Sequence, residues 1–340
     1  MSDLKQAIQR EYLKCASDPV YFMRKYCTIQ HPTKGKVKFD LYPFQEKCLT
    51  TFKDNRYNII LKARQLGIST LSAGYSLWMM LFHNDKNILV IATGKETAKN
   101  LVTKVRVMYE GLPQWLKTNT EEINKLSIRF ANGSQIKAIA SNESAGRSEA
   151  LSLLIIDEAA FIDRIDTIWT AAQQTLSTGG GCIALSTPNG VGNWFHKQWL
   201  GAEEGTNQFN TIRLHWTDHP DRDQVWRDEQ DKILGPSQAA QECDTDFLSS
   251  GRSVVDPAIL QWYKDEMIEA PIEEVGIDRG MWVWRQPDYT KEYIVVADVA
   301  RGDGSDFSAC QVFEVEDMEQ CAEYKGQLST TDYGNFLIEV

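Results

Sequence analysis

Residues 61–70 read LKARQLGIST, and the reading of this stretch decides the fold. A phosphate-binding loop follows G-x-x-x-x-G-K-[ST]: the glycines let backbone N–H groups close on phosphate, and the lysine reaches the β and γ oxygens. Aligned on Gly67 and Ser69, the lysine slot holds Ile68 and the first glycine slot holds Lys62. Taken alone, the blander reading prevails: a buried strand and a helix joined by a glycine turn, with Lys62 and Arg64 solvated.

The surroundings argue otherwise. From about residue 40, short apolar runs alternate with helical stretches: YNIIL (57–61), NILVIAT (87–93), LSLLIID (151–157) and CIALST (182–187). Continuous rather than alternating apolar runs suit strands buried on both faces, so the pattern predicts an α/β protein with a mostly parallel sheet covered by helices. SIRFANGSQIKAIAS carries Asn132-Gly133 between two β-like segments, which predicts a hairpin with a type I′ turn decorating that sheet.

The run LLII leads straight into Asp157-Glu158. Both carboxylates then fall at the C-terminal end of a buried strand, where α/β sheets bind ligands. In such a site the aspartate serves Mg2+ and the glutamate accepts a proton from the water that attacks the γ-phosphate. A helix N-cap would also favour these residues. Upstream, LYPFQEKCL places Gln45 after an aromatic residue, with an amide able to read an adenine edge as donor and acceptor. Downstream, ALSTPNG offers Ser186, Thr187 and Asn189 near the γ-phosphate. Four elements in this order point to a RecA-like ATPase.

Composition bounds the alternatives. The 340 residues are 42% hydrophobic and 24% charged, ordinary for a globular chain of more than one domain. No apolar run approaches the roughly 18 residues of a membrane span, and the charged N-terminus MSDLKQAIQREYLK lacks an export signal, so the chain reads as cytosolic. Seven scattered cysteines, never in C-x-x-C spacing, fit neither zinc nor a disulfide framework. His215 and His219 in HWTDH read as solvated or structural. The formal charge of −11 argues against a coat of basic residues but leaves a local basic stripe open.

The ATPase domain is expected over 1–255, with a core at about 40–205 and a lid from 1–39 and 206–255. A Pro-, Asp- and Glu-rich linker is expected at 256–290 and a second domain at 291–340. The second domain opens with the strand YIVVA ending in Asp298, a Gly-rich turn and Asp306. A calcium loop would need a glutamate at its twelfth position, which is absent.

Together, ARQLG-x-[ST]-T, LIIDEAAFI, STPNG and VVADVARGDGSDFSA resemble the large subunit of the tailed-phage terminase, the DNA-packaging motor, most closely its T-even-like branch. The resemblance runs from about residue 15 to 340. It implies a RecA-like P-loop ATPase with a helical lid, followed by the start of an RNase H-like nuclease. It places Lys62, at the loop's first position, on the phosphates; Arg64 as the loop arginine that senses the γ-phosphate; Gln65, Gly67 and Thr70 in the loop; and Ser69 with Asp157 on Mg2+. T-even-like members carry their lysine where this chain has Ile68. Arg147 resembles an arginine finger inserted into a neighbouring subunit's site, and Thr187 and Asn189 the motif coupling hydrolysis to movement. Asp298 and Asp306 match metal-binding positions of the nuclease, which would use Mg2+ or Mn2+.

The implied function is ATP-driven translocation of double-stranded DNA into a prohead. The partners are DNA, the portal protein and the small terminase subunit. A homo-oligomeric ring is expected on the prohead, with a monomer in solution left open, in the host cytoplasm. The nuclease is expected to be incomplete here: its other acids would lie beyond Val340, DYGNFLIEV reads as its first crossover helix, and Val295, Cys310 and Val312 should be poorly covered. A superfamily 2 helicase would need a second RecA-like domain. A non-catalytic nucleotide-binding subunit is suggested by Ile68 and opposed by Glu158.

Overall fold

The computed structural model of the chain describes residues 2–31, 33–141, 150–247, 259, 262–263, 266–276, 280–302 and 306–340. They fall into two compact units, Met1–Ala258 and Ile259–Val340.

The first unit opens with helices α1 (Ser2–Ser17) and α2 (Pro19–Tyr26), the ribbon β1 (Thr28–His31) and β2 (Gly35–Lys38), and α3 (Pro43–Asp54). The sheet and its helices follow: β3 (Tyr57–Lys62), α4 (Ile68–Phe82), β4 (Asn87–Ala92), α5 (Lys95–Gly111), β5 (Thr120–Ile123), β6 (Ser127–Phe130), β7 (Gln135–Ala140) and β8 (Leu153–Asp157). It continues through α6 (Ile165–Leu176), β9 (Gly181–Ser186), α7 (Trp194–Glu203), β10 (Asn210–Leu214), α8 (Gln224–Leu234) and α9 (Pro236–Ala239).

The sheet order is β10-β3-β9-β8-β4-β7-β6-β5, parallel from β10 to β7 and antiparallel from β7 to β5. Alternate residues along each central strand enter opposite cores. Ile60, Ile88, Val90 and Ile155 pack beneath α2 to α5, and Ile59, Leu61, Leu89 and Ile156 beneath α6 and α7. Both faces are covered, which is why these strands read as unbroken apolar runs. Each such side chain contributes about 1.5–3 kcal/mol by leaving water.

The hairpin β6–β7 forms but does not merely decorate the sheet, because β7 pairs in parallel with β4. Its turn is not type I′: only Gly133 is left-handed, at φ +81°. Asn132 keeps an ordinary φ while its side chain donates to the Met80 carbonyl at the end of α4.

The expected lid also changes. Cys15, Phe22, Met23 and Cys27 belong to the main core, and β10, inside 206–255, extends the sheet beside β3. Apolar side chains at those positions draw both segments inward.

The second unit holds β11 (Glu273–Val275), β12 (Met281–Val283), β13 (Tyr293–Asp298), β14 (Ser308–Glu314), β15 (Gln320–Gly326) and α10 (Thr330–Glu339). Its order is β11-β12-β15-β14-β13, every pairing antiparallel. The expected linker 256–290 therefore contributes two short strands, because Met281 and Val283 pair with Tyr324 and Ala322. Val295 is 41% exposed as expected, whereas Cys310 at 1% and Val312 at 9% are buried. Cys310 is covered by Tyr324 and Tyr333, the latter from α10.

Candidate nucleotide site

Register brings the site together. Leu61 lies opposite Ser186, and Leu185 opposite Asp157, so β3, β9 and β8 end at one level. The residues at those ends, Lys62, Asp157, Glu158, Ser186 and Thr187, therefore converge. Lys62 is buried, 5% exposed, and its ammonium donates to Glu158 Oε1 at 2.9 Å. Glu158 has φ +55° and ψ +49°, a left-handed conformation costly for a non-glycine residue. Its other oxygen accepts from the Thr187 N–H at 3.4 Å and the Ser186 hydroxyl at 3.5 Å. Ser186 Oγ in turn accepts from the Ala160 N–H, and Asn189 donates to the Ala160 carbonyl. The loop after β9 thus braces the carboxylate from behind.

Between β3 and α4, Gln65 at φ +60° and Gly67 at φ +77° bend the chain into α4. Successive turns of this kind, opening a helix N-terminus, form a concavity for anions. Gln45 secures the bend: its Nε2 donates to the Leu66 carbonyl at 2.9 Å and its Oε1 accepts from the Tyr42 N–H. Gln45, expected to read adenine, is seen supporting the loop. Ile68, in the usual lysine slot, is 1% exposed within the core beneath α4.

Ser69 Oγ donates to Asp157 Oδ1 at 3.1 Å. Burial, then the neighbouring Glu158 charge, raises the Asp157 pKa, while Lys62, Ser69 and Lys104 oppose the rise. A buried carboxylate beside a hydroxyl is a hard oxygen pair suited to Mg2+, and a divalent cation would relieve its desolvation.

The Arg64 side chain is 65% exposed and paired with Glu242, and Thr70 follows Ser69 in the first turn of α4. Arg147 lies outside the described residues. Asp298 ends β13 and Asp306 precedes β14, at the same end of an antiparallel hairpin in the second unit. Among the described residues no cluster of three or more His, Cys, Asp or Glu is placed to hold a metal.

Lys104 escaped the sequence reading. Burial pushes its pKa down, with the Asp157 charge opposing the fall and the Lys62 charge adding to it. The one available signal was a lysine among Leu101, Val105 and Met108 on the apolar stripe of α5. A cavity of about 460 Å3 lined by Tyr57, Trp169 and Phe209 opens at the opposite, N-terminal end of β3. It holds none of this chemistry.

A mostly parallel sheet with a left-handed loop after β3, an acidic pair at the end of β8 and a bracing loop after the intervening β9 defines the RecA-like class of P-loop proteins. Within that class the chain belongs to the terminase large subunits: the family described as "Terminase large subunit, T4likevirus-type, N-terminal" matches residues 59–255. A curated relative, "Probable terminase, large subunit gp28" of Escherichia phage Mu, is 26% identical over 168 residues, 45% of this chain. The chain spans only 30% of that relative's length.

Solved structures agree on the fold. The Thermus phage P74-26 large terminase ATPase domain is 21% identical with TM-score 0.51, covering 62% of this chain and 94% of that one. The HK97 bacteriophage large terminase is 16% identical with TM-score 0.58, covering 91% and 67%. The large terminase of a thermophilic bacteriophage, in complex with ATP-gamma-S, is 13% identical with TM-score 0.50, covering 88% and 73%. Among the described residues no helix is long and apolar enough to cross a membrane.

Proposed function

We propose that this chain hydrolyses ATP to drive double-stranded viral DNA into a prohead, as the motor part of a terminase large subunit. The observation that carries the reading is the buried Lys62 ammonium against the Glu158 carboxylate, beside Ser69 and Asp157. A cation for phosphate and a base for water stand at one sheet end, with a backbone anion nest between them.

In this account the loop N–H groups and Lys62 hold the β- and γ-phosphates. When the phosphate oxygens draw Lys62 away, Glu158 is released from its ion pair. It then accepts the proton of the attacking water, held in place by Ser186 and the Thr187 N–H. Ser69 and Asp157 would hold Mg2+, which when bound neutralises phosphate charge. Gln45 serves the adenine and the loop together, Arg64 senses the γ-phosphate, and Thr187 and Asn189 pass the change onward. Arg147 would act as a finger from a neighbouring subunit of a ring. The ATP-gamma-S complex of the thermophilic bacteriophage's terminase supports the choice of nucleotide.

The portal protein, the small terminase subunit and the prohead, reached through the host cytoplasm, are the partners and place this reading assigns, supported by the family match. DNA would be gripped through its phosphates, so binding should fall steeply with salt. Asp298 and Asp306 would hold Mg2+ or Mn2+ for an RNase H-like nuclease. The antiparallel second sheet speaks against a helicase, which needs a second parallel RecA-like sheet.

The test is packaging of linear duplex DNA into purified proheads, scored by nuclease protection. The chain supplied in the whole terminase should package with ATP, and its Glu158→Gln form should not. Packaging that persists in the mutant would overturn the reading.

A further inference from the structure

Three consecutive carbonyls of the loop after β3 are each held by a side chain from outside it. The Arg222 guanidinium donates to the Arg64 carbonyl at 3.1 Å and to the Gln65 carbonyl at 3.4 Å, and Gln45 Nε2 donates to the Leu66 carbonyl at 2.9 Å. In a planar trans peptide the N–H points away from the C=O, and no peptide bond among the described residues is cis. Holding these carbonyls therefore turns the N–H groups of Gln65, Leu66 and Gly67, which belong to the same three peptides, away from the clasping side chains. Those N–H groups belong to the anion concavity at the head of α4. Gln65, left-handed at φ +60° without being glycine, is the loop residue that most needs outside support.

Arg222 precedes α8 and is itself fixed. Its guanidinium lies 4.3 Å from the centroid of the Trp226 ring, and Trp226 packs at 5.9 Å against the buried Trp216. Both terminal nitrogens go to loop carbonyls. A guanidinium stacked by its face aims its edge donors in one plane, a geometry that a lysine ammonium cannot copy. We propose that Arg222 is a positioning residue of the nucleotide site: with Gln45 it clasps the loop by its carbonyls and keeps the opposite N–H groups set for phosphate before a nucleotide arrives. Loop N–H groups serve the phosphates that ATP and ADP share, so the clasp governs how tightly both bind rather than telling one from the other. This rests on the nucleotide-site reading above.

The experiment is equilibrium binding of a non-hydrolysable ATP analogue, of ADP and of adenosine, with Mg2+, to the wild type, Arg222→Ala, Arg222→Lys and Trp226→Leu. Arg222→Ala should weaken the ATP analogue and ADP alike by about five- to tenfold, the scale of one or two lost hydrogen bonds, and leave adenosine within about twofold, because adenosine brings no phosphate to the loop. Arg222→Lys keeps the charge without the fork and should bind both nucleotides as weakly as Arg222→Ala. Trp226→Leu removes the platform and should weaken both nucleotides in the same ratio, by a smaller factor. Should Arg222→Ala fail to fold, the other two variants carry the same test. Loss of the triphosphate alone, a parallel loss of adenosine, or full recovery in Arg222→Lys would overturn the clasp, as would wild-type affinity in Arg222→Ala. If the wild type folds yet binds neither nucleotide, the nucleotide-site reading fails and the clasp fails with it.

Discussion

The Lys62 ammonium and the Glu158 carboxylate, 96 residues apart in sequence, meet at 2.9 Å across the ends of β3 and β8. In the proposed mechanism this pair masks the base with the cation that binds its substrate. Glu158→Gln removes the charge but keeps the shape. ATP affinity should stay at or above wild type, because Lys62 no longer has to leave a carboxylate, while turnover falls at least about 100-fold. Nucleotide titration and single-turnover hydrolysis check both halves.

Ile68→Lys should not restore activity to Lys62→Ala, although it recreates the usual loop sequence. The Ile68 side chain sits in the apolar core with Leu71, so an ammonium there is desolvated without a partner. Denaturant unfolding should show a loss on the order of 3 kcal/mol.

Gly67→Ala tests the loop itself. At φ +77° a side chain is strained by roughly 1–2 kcal/mol, and its Cβ would meet Gln45 Nε2 at 2.8 Å. Gln45 must then release the Leu66 carbonyl, and nucleotide affinity should fall roughly tenfold if that strain is relieved by opening the loop. Calorimetric titration against wild type measures it.

Asp157 predicts a pH effect. Its native pKa lies above the ordinary 3.8, first from burial and then from the Glu158 charge. Between the two values the native protein binds more protons than the unfolded chain, so stability falls as pH rises from 3.8 through the raised native pKa. Asp157→Asn should therefore gain on the nucleotide-free wild type with rising pH, and the gap should close in acid. Unfolding free energies across pH decide this, and a constant gap would contradict it.

The strands that build the site were legible because both their faces are buried, leaving unbroken runs such as LLII before Asp157. The hairpin was legible from Asn132-Gly133, though not its turn type, and the helical end of the chain from the family resemblance. What escaped reading depends on partners distant in sequence. β10 lies at a sheet edge with the mixed sequence NTIRL, and β11 and β12 are three residues each. Their pairing comes from register, which local composition does not encode. Lys104 and Glu242 act on Asp157 and Arg64 from segments that only the fold brings near them. Ile68 was visible as a missing lysine, but that its side chain turns into the core became clear only from the packing of α4.

The central claim is that Lys62 does the work of the absent loop lysine. Steady-state ATP turnover by Lys62→Ala, measured beside wild type and with folding verified by circular dichroism, tests it most directly. The account predicts loss of hydrolysis of about 100-fold or more, the scale of removing one preorganised charge from a transition state. Turnover within twofold of wild type would return Lys62 to a structural ion pair and contradict the account.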